Sequence, residues 1–227
     1  MKKESPTKLE WLALIGVLLA ICGGLFYSGK QAWDSELATI NQSQKPKKSQ
    51  KKRVKKPYQA TWGWPFKKIG KNGPKYEEGQ QYGKTKYLRR LYPTKSYWHD
   101  GWDFGFSQVG QNSKVLAVHA GRVHKVGYAA GIGYYIWVIS DDGYVEVYQE
   151  GFADLSSITV KKGQKVKLGQ TIGYLTGNHL HLGITKTSKD YVRKKDGAPD
   201  NRAYSDNGIW LNPVKVIKND LKKAEKN

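Results

Sequence analysis

Apolar and polar positions follow three different rhythms along this chain. From Trp11 to Ser28, in WLALIGVLLAICGGLFYS, no residue is charged. From Lys45 to Pro57, in KPKKSQKKRVKKP, Val54 is the one residue with an aliphatic side chain besides the prolines. Between Thr61 and Val214, short apolar runs alternate with glycine turns, as in KVLAVHAGRVHKVG, YYIWVISDDGYVEVY, ITVKKGQKVKLGQTIGYL and HLHLGIT. Short runs of β-branched and aromatic residues bounded by glycine read as strands. Asp142-Gly143 inside SDDGYVEVY marks a tight hairpin turn. No stretch carries a long helical apolar stripe. The pattern predicts a mainly β, antiparallel domain over residues 61–214. A basic tail, residues 215–227, follows it, and VKVIKNDLKKAEKN reads there as a frayed terminal helix.

The uncharged run predicts an anchor. As a helix it spans about 27 Å at ~1.5 Å per residue, close to the hydrocarbon thickness of a bilayer. Lys2, Lys3 and Lys8 precede it, the basic flank expected on the cytoplasmic side. The organisation expected is a cytoplasmic segment 1–10, a transmembrane anchor 11–28 and a polar, polybasic linker 29–60, with the C-terminal domain outside the cell. A cleaved signal peptide would want an A-x-A site, which is missing after the apolar core. A lipoprotein reading of LAIC meets Ile21 where a small residue is usual. A core helix would show a polar face. The basic run that soon follows the anchor pulls against the positive-inside assignment, so charge alone does not fix the topology.

Charge narrows the surroundings. The 227 residues carry a formal net charge of +20. Such a chain favours nucleic acid, acidic lipid or an anionic wall polymer. Eight Lys or Arg and no acid between residues 45 and 57 repel one another, so this block is expected to be extended. Outside the cell, residues 45–56 would meet anionic wall polymers or lipid headgroups, or serve only as a spacer, and no nucleic acid is expected. Cys22 is the single cysteine, which excludes an intrachain disulfide. AAGIGYY is a glycine turn and not a phosphate loop, since it lacks the lysine and the following helix.

The five histidines, His99, His119, His124, His179 and His181, all fall in the β domain. In HLHLGIT, alternation places His179 and His181 on one face, with Cα atoms about 6.7 Å apart, while Leu180 points to the other. In YWHDGWDFG, His99 and Asp103 stand four apart around Gly101. The glycines disfavour a helix, and a bent extended segment would converge both side chains on one ion. Two histidines and a carboxylate make a three-ligand zinc site with an open position, and the remaining histidine would carry protons. A facial-triad iron site uses the same residue types, and satisfied strand histidines beside an unrelated aspartate are the bland alternative. His119 and His124, on either side of a turn glycine, read as strand or surface residues. Trp98 and Trp102 read as packing residues or groove walls. Tyr92 and Tyr97 are candidates for support near a metal.

HDGWDFG followed by HLHLGI resembles the paired signatures of the lysostaphin-type, LytM-like peptidoglycan zinc metallopeptidases. VLAVHAGRVHKVG, ITVKKGQKVKLGQTIGYL and the WPF near the domain's start are similar to that family's strand and turn pattern. The likeness covers residues 62–214. It implies a β-sheet groove, a Zn2+ cofactor and hydrolysis of peptide bonds in peptidoglycan. By motif, His99, Asp103 and His181 are the implied metal ligands and His179 the implied catalytic base. One position departs from the pattern. The family carries a further histidine in a Y-x-H-L run, and here VYQEGFADLSSI places Glu150 at that position with a few residues inserted before Leu155. As an anion Glu150 would repel an oxyanion. As a protonated acid it would donate a hydrogen bond. The alternative to an enzyme is a catalytically weak or silent domain that binds the wall as a scaffold.

Overall fold

Alternation in HLHLGIT separates Leu180, Leu182 and Ile184 from His179, His181 and Gly183. The computed structural model describes residues 57–89, 92–200 and 205–226, and in it the segment forms a strand whose two leucines and isoleucine are fully buried. The described strands are β1 (Gly83–Arg89), β2 (Tyr92–His99), β3 (Trp102–Gly105), β4 (Lys114–Leu116), β5 (Gly121–Ala129), β6 (Gly133–Ile139), β7 (Tyr144–Phe152), β8 (Lys165–Val166), β9 (Thr171–Tyr174) and β10 (His179–Lys186). A six-stranded antiparallel sheet runs β3-β10-β7-β6-β5-β8, and β1-β2 and β4-β9 form two-stranded ribbons. The mainly β, antiparallel expectation holds. Asp142-Gly143 is the turn between β6 and β7, with Gly143 at φ 83°, a backbone conformation that glycine adopts without steric cost.

One face of the sheet carries the main core. Leu180, Leu182, Ile184, Val138, Ile136 and Tyr148 pack there with Phe66, Phe104, Ile172 and Ile217. The opposite face carries a second cluster, in which Tyr191, Ala198 and Trp210 cover Tyr135, Trp137 and Val147. His179 and His181 lie on this second face of β10, next to Gly183, over which Trp210 packs.

The frayed terminal helix expected in the basic tail, residues 215–227, is a helix packed into the fold. Helix α2 (Pro213–Glu225), the longer of two described α-helices after α1 (Phe106–Val109), is part of the folded unit. Pro213 opens it, and Asn212 caps it by accepting from the Lys215 N–H at 3.1 Å, satisfying one of the orphan donors of the first turn. Ile217 is fully buried. Asp220 accepts from the backbone N–H of Thr61 at 2.7 Å and of Trp62 at 3.0 Å, and from the hydroxyl of Tyr58. The start of the domain is thus tied to its last helix, and the fold reaches back to Tyr58 and forward past Val214. Among the described residues no helix is long and apolar enough to cross a membrane. The expected anchor 11–28 and the polybasic run 45–56 lie outside the described residues.

Glu146 stands on β7 between Val138 of β6 and Ile184 of β10 and is fully buried, with no hydrogen-bond partner at either carboxylate oxygen. Burial, helped by the charge of Asp142, pushes its carboxyl well above the ordinary 4.5. The folded protein therefore keeps a proton that the unfolded chain releases above pH 4.5. Its contribution to stability is complete below that pH and is lost as pH rises through the window up to the raised value. Glu146→Met removes the buried polar group while keeping length. It is expected to stabilise the domain at pH 8 by about 1–2 kcal/mol, or about 2–8 °C in unfolding midpoint. The gain should shrink on acidification towards pH 5. Thermal unfolding of both proteins at the two pH values checks this, and equal midpoints at pH 8 would contradict it.

Candidate metal centre and active site

The site forms where β2 ends and β3 begins beside β10. His99 is the last residue of β2, the chain turns through Asp100-Gly101, and Asp103 lies on β3 directly opposite His181 of β10. Gly101 is obligatory at this bend: a Cβ there would fall 2.3 Å from Nε2 of His181 and 2.6 Å from the Leu182 carbonyl oxygen.

Three donor atoms converge. Nε2 of His99 lies 3.0 Å from Nδ1 of His181 and 3.2 Å from Oδ1 of Asp103, and Nδ1 of His181 lies 3.0 Å from the same Oδ1. His99 is fixed from behind, since its Nδ1–H donates to the Gln81 carbonyl at 2.9 Å. That bond sets the tautomer and leaves the Nε2 lone pair facing the other two donors. Ligand atoms of a tetrahedral zinc ion with bonds of about 2.0 Å stand about 3.3 Å apart. The three separations fit such an ion with little movement. The electrostatics fit as well. Burial would lower the His181 pKa, yet Asp103, with help from Asp100 and Glu150, pushes it up to about 9. Burial would raise Asp103, yet His181 and His99 hold it well below the usual carboxylate range. The cluster attracts positive charge, and a divalent cation answers that demand.

His179 occupies the open side. Its side chain is 31% exposed, against 7% for His181 and 4% for His99. Nε2 of His179 lies 3.0 Å from Oε2 of Glu150 and 3.6 Å from Oδ2 of Asp103. Burial would lower its pKa, but Glu150 and Asp103 raise it.

Glu150 reaches the site through a backbone irregularity. Gln149 faces Tyr135 and Phe152 faces Tyr134, so Glu150 and Gly151 are extra on β7. Glu150 has φ 65°, a left-handed conformation uncommon for a residue with a Cβ. Strict alternation would send its side chain into the core beside Tyr148, and the bulge re-aims it at His179. Gln149, which flanks His181 in register, donates from Nε2 to Oε1 of Glu150 at 3.2 Å. Burial would raise the Glu150 carboxyl, but the His179 hydrogen bond and the charge of His181 draw it below the ordinary value. Of the two forms considered for Glu150, this one is the carboxylate.

His99, Asp103, His179, His181 and Glu150 therefore meet at one place. His119 does not join them: it stacks on Trp62 at 4.2 Å, with Nδ1 donating to the Thr61 carbonyl at 2.6 Å and Nε2 3.2 Å from Asp142. His124 stacks on Trp137 at 5.8 Å. Trp102 is a core residue, and Trp98 packs edge-on against Tyr82. The side chains of Tyr92 and Tyr97 lie outside the described residues. Two groups near the converging donors carried no assigned role in the sequence: the Gln81 carbonyl, for which nothing in the chain gives a signal, and Asp100, visible as the extra acid in HDGWD.

The chain is similar to several known proteins. Residues 97–193 match peptidase family M23. An uncharacterized metalloprotease of Haemophilus influenzae is 38% identical over 86 residues, which is 37% of this chain and 18% of that protein's length. The crystal structure of CbpA from L. salivarius REN is 36% identical, superposes with a TM-score of 0.58, and covers 71% of this chain and 97% of its own. The catalytic domain of the antimicrobial peptidase lysostaphin from Staphylococcus simulans is 23% identical over 63% of this chain and 92% of its own, with a TM-score of 0.44. The chain belongs to peptidase family M23, and with it to the metallopeptidases.

Proposed function

We propose that this protein is a zinc endopeptidase that hydrolyses peptide bonds in bacterial peptidoglycan, in a stem peptide or a cross-bridge. The observation that carries the reading is the convergence of Nε2 of His99, Nδ1 of His181 and Oδ1 of Asp103 within 3.2 Å, with the His179–Glu150 pair on the open side. Those three atoms would hold the ion. Zinc, when bound, supplies an acidified water and polarises the scissile carbonyl.

The remaining work falls to side chains of this chain. His179 and Glu150 share a proton between Nε2 and Oε2 at 3.0 Å. Such a pair takes the proton of the attacking water and returns one to the leaving amine. Gln81 and Gln149 hold His99 and Glu150 in place. The second reading, a weak or silent domain acting as a wall-binding scaffold, is favoured by Glu150 itself. A carboxylate where the family's histidine usually stands offers no donor to an oxyanion.

Mass spectrometry of muropeptides released from purified cell walls by the zinc-loaded protein separates the two. New amino termini that disappear with chelator are the expected outcome. Wall binding without any released peptide would sink the enzyme reading and support the scaffold.

The location belongs to the same proposal. Residues 11–28 would anchor the chain in the cell membrane with the domain outside, and residues 45–56 would engage anionic wall polymers or lipid headgroups. Protease added to wall-stripped cells should remove the domain, and wall binding should weaken with salt, since exposed charges are screened over about 8 Å at physiological ionic strength. A protected domain would overturn the topology, and salt-independent binding would leave the linker a spacer.

A further inference from the structure

Asp100 supplies none of the three converging donor atoms, yet it is buried directly behind them. Its side chain is 2% exposed, and Oδ1 lies 3.5 Å from Nε2 of His181, the ring nitrogen opposite the one that faces His99 and Asp103. The missing side chain at Gly101 lets the His181 ring lie against the backbone between these groups. His181 is therefore bracketed, with Asp103 at Nδ1 and Asp100 at Nε2.

We propose that Asp100 is a positioning residue for the metal, the carboxylate that keeps the proton of His181 on Nε2 and its lone pair on Nδ1. The inference rests on the reading of His99, Asp103 and His181 as ligands. The physical case has three steps. An imidazole can offer Nδ1 to an ion only if its proton resides on Nε2 or has left. A buried carboxylate near Nε2 favours the first arrangement and makes the ring a stronger electron donor. His99 receives the corresponding support from a neutral backbone carbonyl, that of Gln81. Asp100 thus adds an outer negative charge placed against this ligand histidine from behind. The chain obtains this carboxylate from the residue that follows His99, inside the same turn that delivers Asp103, so one short segment supplies a ligand, its spacing glycine and the support of a third ligand.

The test is zinc affinity, measured on the purified full-length chain by competition with a chromophoric chelator, with thermal unfolding of the metal-stripped protein alongside. Asp100→Ala is expected to bind zinc about 10–100-fold more weakly, with the stripped protein unfolding no more than a few degrees from the parent. Asp100→Asn keeps the shape and an acceptor oxygen but loses the charge, and it should fall between the two. Unchanged affinity in Asp100→Ala overturns the proposal, and so does a loss of stripped-protein stability without a loss of affinity. If Asp100→Ala does not fold, Asp100→Asn decides, and parental affinity in that variant overturns the role of the charge. A parent that binds no stoichiometric zinc would instead sink the reading of the ligand set, and this inference with it.

Discussion

His181→Ala is expected to lose zinc and peptidase activity together, while His179→Ala keeps near-stoichiometric zinc and loses activity by about 100-fold or more. The two residues share one face of β10, and their surroundings separate them. His181 is buried, opposite Asp103, with Nδ1 3.0 Å from both Nε2 of His99 and Oδ1 of Asp103. Removing it leaves two of the three converging donors and a largely enclosed aspartate without its main positive partner. Part of the loss should appear as lower stability, because metal binding is coupled to folding. His179 is more exposed, and its Nε2 is engaged by Glu150 and not by the other two histidines. Its removal leaves the three donors in place. Elemental analysis and hydrolysis of a wall peptide on both variants and on Asp103→Ala check the assignment. It fails if His179→Ala is the variant that loses zinc, or if all three keep both metal and activity.

The elements that deliver the converging side chains were legible because their rules are local. Strand alternation placed Leu180 in the core and its two flanking histidines on the other face, and the glycine in HDGWD announced the bend that converges His99 and Asp103. Asp142-Gly143 fixed the β6–β7 turn and so the register of β7 against β6. What stayed hidden depends on context. Glu150 could be placed opposite the family's histidine, but its aim could not be read. Alternation alone sends it into the core, and only the two-residue bulge at Glu150-Gly151 brings it to His179. The C-terminal segment looks like a basic tail because its apolar residues, Val214, Val216, Ile217 and Leu221, are diluted by lysines. Its place in the fold depends on Asp220 meeting two backbone N–H groups near residue 61, a contact between sequence ends that no local pattern encodes.

Glu150→Ala is expected to reduce activity by about 10–100-fold with zinc content unchanged, because the residue holds the proton-carrying histidine and does not hold the ion. Its Oε2 accepts from Nε2 of His179 at 3.0 Å, and Gln149 holds its other oxygen at 3.2 Å. Glu150→Gln should keep much of this geometry and lose the charge. The sign of its pH effect follows from the electrostatics of His179. Burial lowers the His179 pKa and Glu150 raises it, with Asp103 adding to the rise. Replacing the carboxylate by an amide removes part of the rise, so the imidazole loses its proton at lower pH. The ascending limb of the pH–rate profile should therefore move to more acidic values in Glu150→Gln. A profile that does not move, with Glu150→Ala at parental activity, would show that the carboxylate has no role in proton transfer. Glu150→His is the counter-test, since it restores the residue type usual in the family. The bulge and the φ of 65° at this position suit a side chain that must turn back towards His179, so the substituted ring is expected to be no better than the carboxylate. A variant clearly more active than the parent would mean that Glu150 restrains the site, and the scaffold reading would then gain what the endopeptidase reading loses.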